Sequence, residues 1–118
     1  YTNTMNKLVR SIGWAINGIR TVWKEEVNFR IETAIALVVI GGGLYLQFTK
    51  LEWAFIIVCI SVVLSSEILN TAVEDLCNKV EPNTDPIIGK IKDMMGGFVL
   101  VVSATSAVIG VMIFTNHL

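Results

Sequence analysis

The chain has 118 residues, of which 53% are hydrophobic and 16% charged, with a mean hydropathy of +0.66. A soluble domain this small carries about 25% charge and needs polar residues to cover its large surface, so the composition points to a single domain immersed in a bilayer. A net charge of -1 and a pI near 5.8 argue against nucleic-acid binding by bulk electrostatics, and two distant cysteines, Cys59 and Cys77, argue against a disulfide scaffold or a zinc site.

The first element is an amphipathic helix over 5–28. On a helical wheel Leu8, Val9, Ile12, Ile16, Ile19 and Trp23 fall within about 100° of arc, while Lys7, Arg10, Asn17, Arg20 and Lys24 lie opposite. A basic polar face and a tryptophan near the end suit a helix lying in the headgroup plane. Trp14 falls on the polar side, where it stacks on a ligand or meets a neighbouring helix.

The next apolar stretch, Thr33 to Phe48, is uncharged and sits too far into the chain, with the wrong flanks, for a signal peptide. It gives a transmembrane helix over 31–48, with Glu32 at one interface. Gly41-Gly42-Gly43 lacks the Lys-Ser/Thr of a phosphate loop; inside an apolar span it reads as a site of close helix packing.

The second span begins near Trp53 and is uncharged only to Ser66. That stretch rises about 21 Å as a helix, too little to cross about 30 Å of hydrocarbon. The helix must therefore continue through Glu67 and Asn70 towards Glu74, which gives a span over 52–78. A carboxylate within the membrane is costly and marks a functional candidate. Glu81-Pro82-Asn83-Thr84-Asp85-Pro86 is rich in turn formers and reads as an irregular loop. The third span, over 91–115, contains the charge-free run Met94 to Phe114. Cys59 and Met94-Met95 read as apolar packing, Trp23 and Trp53 as interfacial anchors, and His117 as an exposed terminal residue.

Lysines and arginines set the orientation. Five of nine precede the first span, three lie between the second and third, and only Lys50 lies on the other side. The positive-inside rule places the N-terminus and the Glu81–Asp85 loop in the cytoplasm. Seven of the ten acids then gather on the cytoplasmic side, with Glu32 and Glu67 somewhat deeper.

Glu67, Asn70 and Glu74 are spaced i, i+3, i+7 and share one helical face. Burying them requires a cation or hydrogen-bond donors. Arg30, Lys92 or a bound Mg²⁺ would serve, because hard oxygen ligands and phosphates suit Mg²⁺. A polar network between helices fits the same spacing. Lys92-Asp93 fits an interfacial anchor or a contact to a nucleotide phosphate.

Glu67-x-x-Asn70-x-Ala72-x-Glu74 followed by Gly89-x-x-Lys92-Asp93 resembles the signature of the bacterial integral-membrane diacylglycerol kinases, which include the undecaprenol kinases. Gly13, Gly18-Ile-Arg20, Trp23 and Glu26-x-x-Phe29-Arg30-x-Glu32 match as well, and the resemblance covers the chain from about Lys7. It implies a homotrimer in the bacterial cytoplasmic membrane that transfers the γ-phosphoryl of ATP, with Mg²⁺, to a lipid alcohol. It further implies that Glu67 is the catalytic base and that Glu26 and Glu74 hold the metal. Lys7, Trp14, Glu26, Asn70, Glu74, Asn83, Thr84, Asp85, Lys92 and Asp93 would contact ATP. Arg20, Trp23, Arg30, Glu32, Glu67 and Gly96 would face the lipid.

Several positions depart from the diacylglycerol kinases of Gram-negative bacteria. Lys7 replaces an arginine, Trp14 a tyrosine, Asn78 an aspartate and Gly96 a serine, and Asn83-Thr84-Asp85 replaces Glu-Tyr-His. The small-residue run Met95-Gly96-Gly97 is closer to the undecaprenol kinase branch, which tilts the acceptor towards a polyprenol. A different class, a non-enzymatic transport or accessory subunit with a polar helix interface, would more naturally place polar groups near the midplane and on both sides.

Overall fold

The computed structural model describes residues 2–118. Four helices follow one another: α1 (Thr2–Glu25), α2 (Val27–Leu46), α3 (Lys50–Val80) and α4 (Pro86–Thr115). The last three are long and apolar enough to cross a membrane. α3 packs most extensively on α4 and next on α2, while α1 touches α2 and α3. The apolar residues Leu8, Val9, Ile12, Ile16 and Ile19 of α1 are exposed.

The corner between α1 and α2 is built by Glu26, whose extended backbone (φ -114°, ψ 110°) breaks the helix. Val22 and Phe29 are buried there, and the Trp23 and Phe29 rings meet edge to face at 6.4 Å. Arg30 Nη1 donates to the carbonyls of Trp23 and, at 3.1 Å, Lys24. A guanidinium thus satisfies the free carbonyls at the C-terminal end of α1, where the helix dipole favours a cation. Arg30 was a candidate partner for the carboxylates; its hydrogen bonds go to the end of α1 instead.

The turn between α2 and α3 is tighter than the expected span end at Phe48. Gln47 adopts the left-handed conformation (φ 59°), and its N–H donates to Gly43 O. Phe48 leaves the helix and is buried against Trp53 and Phe114. Glycine is required here: a Cβ on Gly43 would lie 2.7 Å from the Phe48 ring, and one on Gly42 2.8 Å from Phe114. The close packing expected of the glycine run holds for these two positions, whereas Gly41 faces open space.

α3 starts with a capping box in which Thr49 Oγ1 accepts from Glu52 N at 3.2 Å and Glu52 Oε1 from Thr49 N at 2.9 Å. His117 is not the free terminal residue the sequence suggested. Its Nε2 lies 2.9 and 3.0 Å from the two Glu52 carboxylate oxygens, and its ring packs on Phe48. α4 begins at Pro86, ahead of the expected 91, because Asp85 Oδ1 accepts from Ile87 N and Ile88 N at 2.9 and 3.1 Å. Proline at the first helical position lacks an N–H that would otherwise be orphaned.

Candidate active site

The carboxylates converge at the end of the bundle where α1 turns into α2. On α3 the polar face is graded: Glu67 is 3% exposed, Asn70 half-buried and Glu74 exposed. Glu67 and Glu74 are seven positions apart, about 10 Å along the axis. Thr71 Oγ1 donates back to Glu67 O at 2.9 Å, so this buried hydroxyl is satisfied within its own helix.

α2 and the corner bring the other acids to this face. The Glu32 carboxyl lies against that of Glu67, and Glu32 Oε2 is buried with no hydrogen-bond partner. Glu26 is half-buried at the corner. Burial first, and then the neighbouring Glu74, Glu67, Asp75 and Glu25, hold its carboxyl above the ordinary carboxylate range. Glu26, Glu32, Glu67 and Glu74 thus form one acidic cluster, and among the described residues no ion pair offsets it, the one ion pair being Glu52–His117 at the far end.

Lys92 comes towards the site from α4. Its Nζ donates to Asn78 Oδ1 at 2.7 Å, so the ammonium is fixed by a neutral amide and keeps its whole charge. Asn78 was noted only as a departure from relatives; its role as the Lys92 tether follows from the structure. Asn78 lies eleven positions from Glu67, close to three full turns, and shares its face, but the sequence does not pair it with Lys92.

Other expected contacts are less concentrated. Lys7 and Trp14 lie exposed on α1, Trp14 at 68%. Arg20 bonds Asn17 on its own helix at 3.2 Å, and Trp23 is partly exposed beside Phe29. Asn83 and Thr84 are exposed in the loop, where Asn83 N donates to Glu81 Oε1 at 3.1 Å. The Asp85 carboxylate serves as the α4 cap, and Asp93 is exposed. Gly96 and the adjacent Gly97 face open space.

The residues suited to a divalent cation are Glu26 and Glu74, an acceptor-only pair of like charge. No group of three or more His, Cys, Asp or Glu side chains is close enough to hold a metal by itself among the described residues. Two carboxylates fit Mg²⁺ when substrate phosphates complete the shell, its usual arrangement in phosphoryl-transfer sites.

Residues 13–114 match the prokaryotic diacylglycerol kinase family. The chain belongs to that family and is a lipid kinase. It is 31% identical to the undecaprenol kinase of Bacillus subtilis (strain 168) over its whole length and 96% of the relative's. It is 28% identical to the diacylglycerol kinase of Haemophilus influenzae over 78% of each chain. With the Escherichia coli (strain K12) diacylglycerol kinase it shares 22% identity over 98% of this chain and 95% of that one. The matched span contains the carboxylate cluster and Lys92 but not Lys7. Family membership and three candidate spans make this a bacterial membrane protein, and they leave no support for a non-enzymatic transport or accessory subunit.

Proposed function

We propose that this kinase transfers the γ-phosphoryl group of ATP, with Mg²⁺, to the hydroxyl of a membrane lipid alcohol, and that a polyprenol is preferred to diacylglycerol. The observation that carries this reading is the gradient along α3 from buried Glu67 to exposed Glu74. A lipid hydroxyl arrives from the hydrocarbon side and a nucleotide from water, so a base belongs at the deep end and phosphate-binding groups at the shallow end.

Glu67 accepts the proton of the lipid hydroxyl. The hydroxyl oxygen bonds to the γ-phosphorus as the bond from that phosphorus to the bridging oxygen breaks, and ADP leaves with the electron pair. Lys92, held by Asn78, offsets charge on the phosphates. Glu26 and Glu74 would hold Mg²⁺, which offsets phosphate charge when bound. Asn70 and Asp93 border the nucleotide end, and Arg20, Trp23, Arg30 and Glu32 the lipid approach. Lys7, Trp14, Asn83 and Thr84 remain candidates for adenine and ribose. Asp85 would act through its cap, by setting where the loop ends.

The acceptor preference rests on the undecaprenol kinase named among the relatives. The N-terminus and the Glu81–Asp85 loop face the cytoplasm by the distribution of lysine and arginine, and α1 lies along the membrane surface. The functional unit is a homo-oligomer, a trimer as the family resemblance implies. Only 6% of the apolar window of α4 is buried within one chain, which leaves surface for partner helices. Purified protein given labelled ATP with undecaprenol and diacylglycerol side by side tests the reading. Preferential labelling of undecaprenol supports it, and labelling of neither lipid refutes it.

A further inference from the structure

α2, α3 and α4 line a half-open cavity of about 540 Å³, of which the catalytic reading uses only Glu32. Its walls are almost wholly hydrocarbon, from Ala36, Ile56, Ile60 and Val111 among others. Two polar atoms stand out: Glu32 Oε2 and Ser103 Oγ both belong to residues lining the cavity, and both are buried with no hydrogen-bond partner.

Ser103 differs from the other solvent-shielded hydroxyls of these helices. Thr33, Ser66, Thr71 and Thr115 each donate to a carbonyl of the preceding turn, the usual resort of a hydroxyl in an apolar helix. Ser103 Oγ makes no such bond, although it is shut off from solvent.

The helix register puts this hydroxyl at the level of the acids. α3 and α4 are tied at Asn78 and Lys92. Glu67 lies eleven positions from Asn78, and Ser103 eleven positions from Lys92, in the antiparallel sense. From the other end, Gly42 packs on Phe114, and the same count along parallel α2 and α4 sets Ser103 beside Ile31 and Glu32. From Ser103 to Phe114 the cavity runs about 16 Å.

We propose that Ser103 is a positioning residue for the acceptor alcohol, whose hydrocarbon chain occupies this cavity. This rests on the kinase reading above and adds the contact that holds the acceptor oxygen. The alcohol O–H points at the Glu32–Glu67 carboxyl pair, and its oxygen accepts a hydrogen bond from Ser103 Oγ. Both orphaned atoms are then satisfied by one ligand group. A water molecule would meet the same two partners but leave the hydrocarbon walls uncovered.

The test uses the full chain in phospholipid nanodiscs. A long-chain primary alcohol with a diazirine at its far end is irradiated without ATP, alongside its methyl ether, and labelled residues are mapped. Label on Gly110, Val111 or Phe114 from the alcohol and little from the ether is expected. Ser103→Ala should cut that label, and raise KM for the alcohol, by about tenfold with KM for ATP unchanged. Ser103→Thr, which keeps the hydroxyl, should behave as wild type. Gly110→Leu offers a second route, because Gly110 lines the cavity and a Cβ there meets no other atom within 4 Å. It should abolish labelling and phosphorylation of the long alcohol while sparing a short-chain one. Equal labelling by alcohol and ether overturns the proposal, as does an unchanged acceptor KM in Ser103→Ala. Specific labelling by a wild type that phosphorylates no lipid alcohol refutes the transfer reading but leaves the alcohol site standing. Phosphorylation without specific labelling refutes the site alone.

Discussion

Lys92 Nζ donates to Asn78 Oδ1 across the α3–α4 interface at 2.7 Å. An amide dipole fixes the ammonium without neutralising it, so its charge remains available to an anionic ligand. Asn78→Ala removes the tether and frees the lysine's rotamers. It should lower kcat/KM for ATP by about tenfold, the equivalent of one charge-assisted hydrogen bond. Steady-state kinetics at varied ATP would show this, and an Asn78→Ala enzyme with wild-type kcat/KM would separate Lys92 orientation from turnover.

The raised pKa of the Glu26 carboxyl gives stability a pH slope. Burial and then Glu74 raise the folded-state pKa of Glu26 above its unfolded value. The stabilising contribution is therefore complete below the ordinary carboxylate pKa and is lost as pH rises through the raised one. Melting in chelator should show Tm falling over that rise, Mg²⁺ should restore it, and Glu26→Gln should flatten the curve. An unchanged slope in Glu26→Gln would assign the effect to another group.

A shared ion also predicts non-additivity. Glu26→Gln and Glu74→Gln should each raise the Mg²⁺ requirement, and the double variant should cost less than the sum, because the same ion is lost in each case. Additive effects in a double-mutant cycle would contradict a common site.

At the opposite end, Glu52 both completes the α3 capping box with Thr49 and meets His117. Thr49→Ala should cost about 1 kcal/mol of stability with no change in kcat, because this end lies a span away from the acids. A large loss of turnover at unchanged Tm would mean the two ends are coupled.

Much of this arrangement was legible in the sequence, for a physical reason: hydropathy reports the solvent of each segment. The charge-free run Met94–Phe114 and the forced continuation of α3 through Glu67 gave the spans, and the i, i+3, i+7 spacing gave the polar face. Pairs distant in sequence were not legible. Neither the spacing nor the residue types say that Arg30 ends α1, that Asn78 holds Lys92, or that His117 returns to Glu52. The α4 start was missed because hydropathy marks the membrane edge, whereas Asp85-Pro86 marks the helix edge. Ser103 was passed over because a serine in an apolar helix normally bonds its own backbone, and only the cavity reveals that this one does not.

The most direct test of the central claim compares wild type with Glu67→Gln for transfer of labelled phosphate from ATP to a lipid alcohol, with nucleotide binding and assembly followed in the same samples. Glutamine keeps the size of the side chain and removes only the basic carboxylate. The account predicts that transfer is lost in Glu67→Gln while ATP binding and oligomer mass match wild type. Wild-type turnover in Glu67→Gln would contradict it and remove the buried end of α3 from the chemistry.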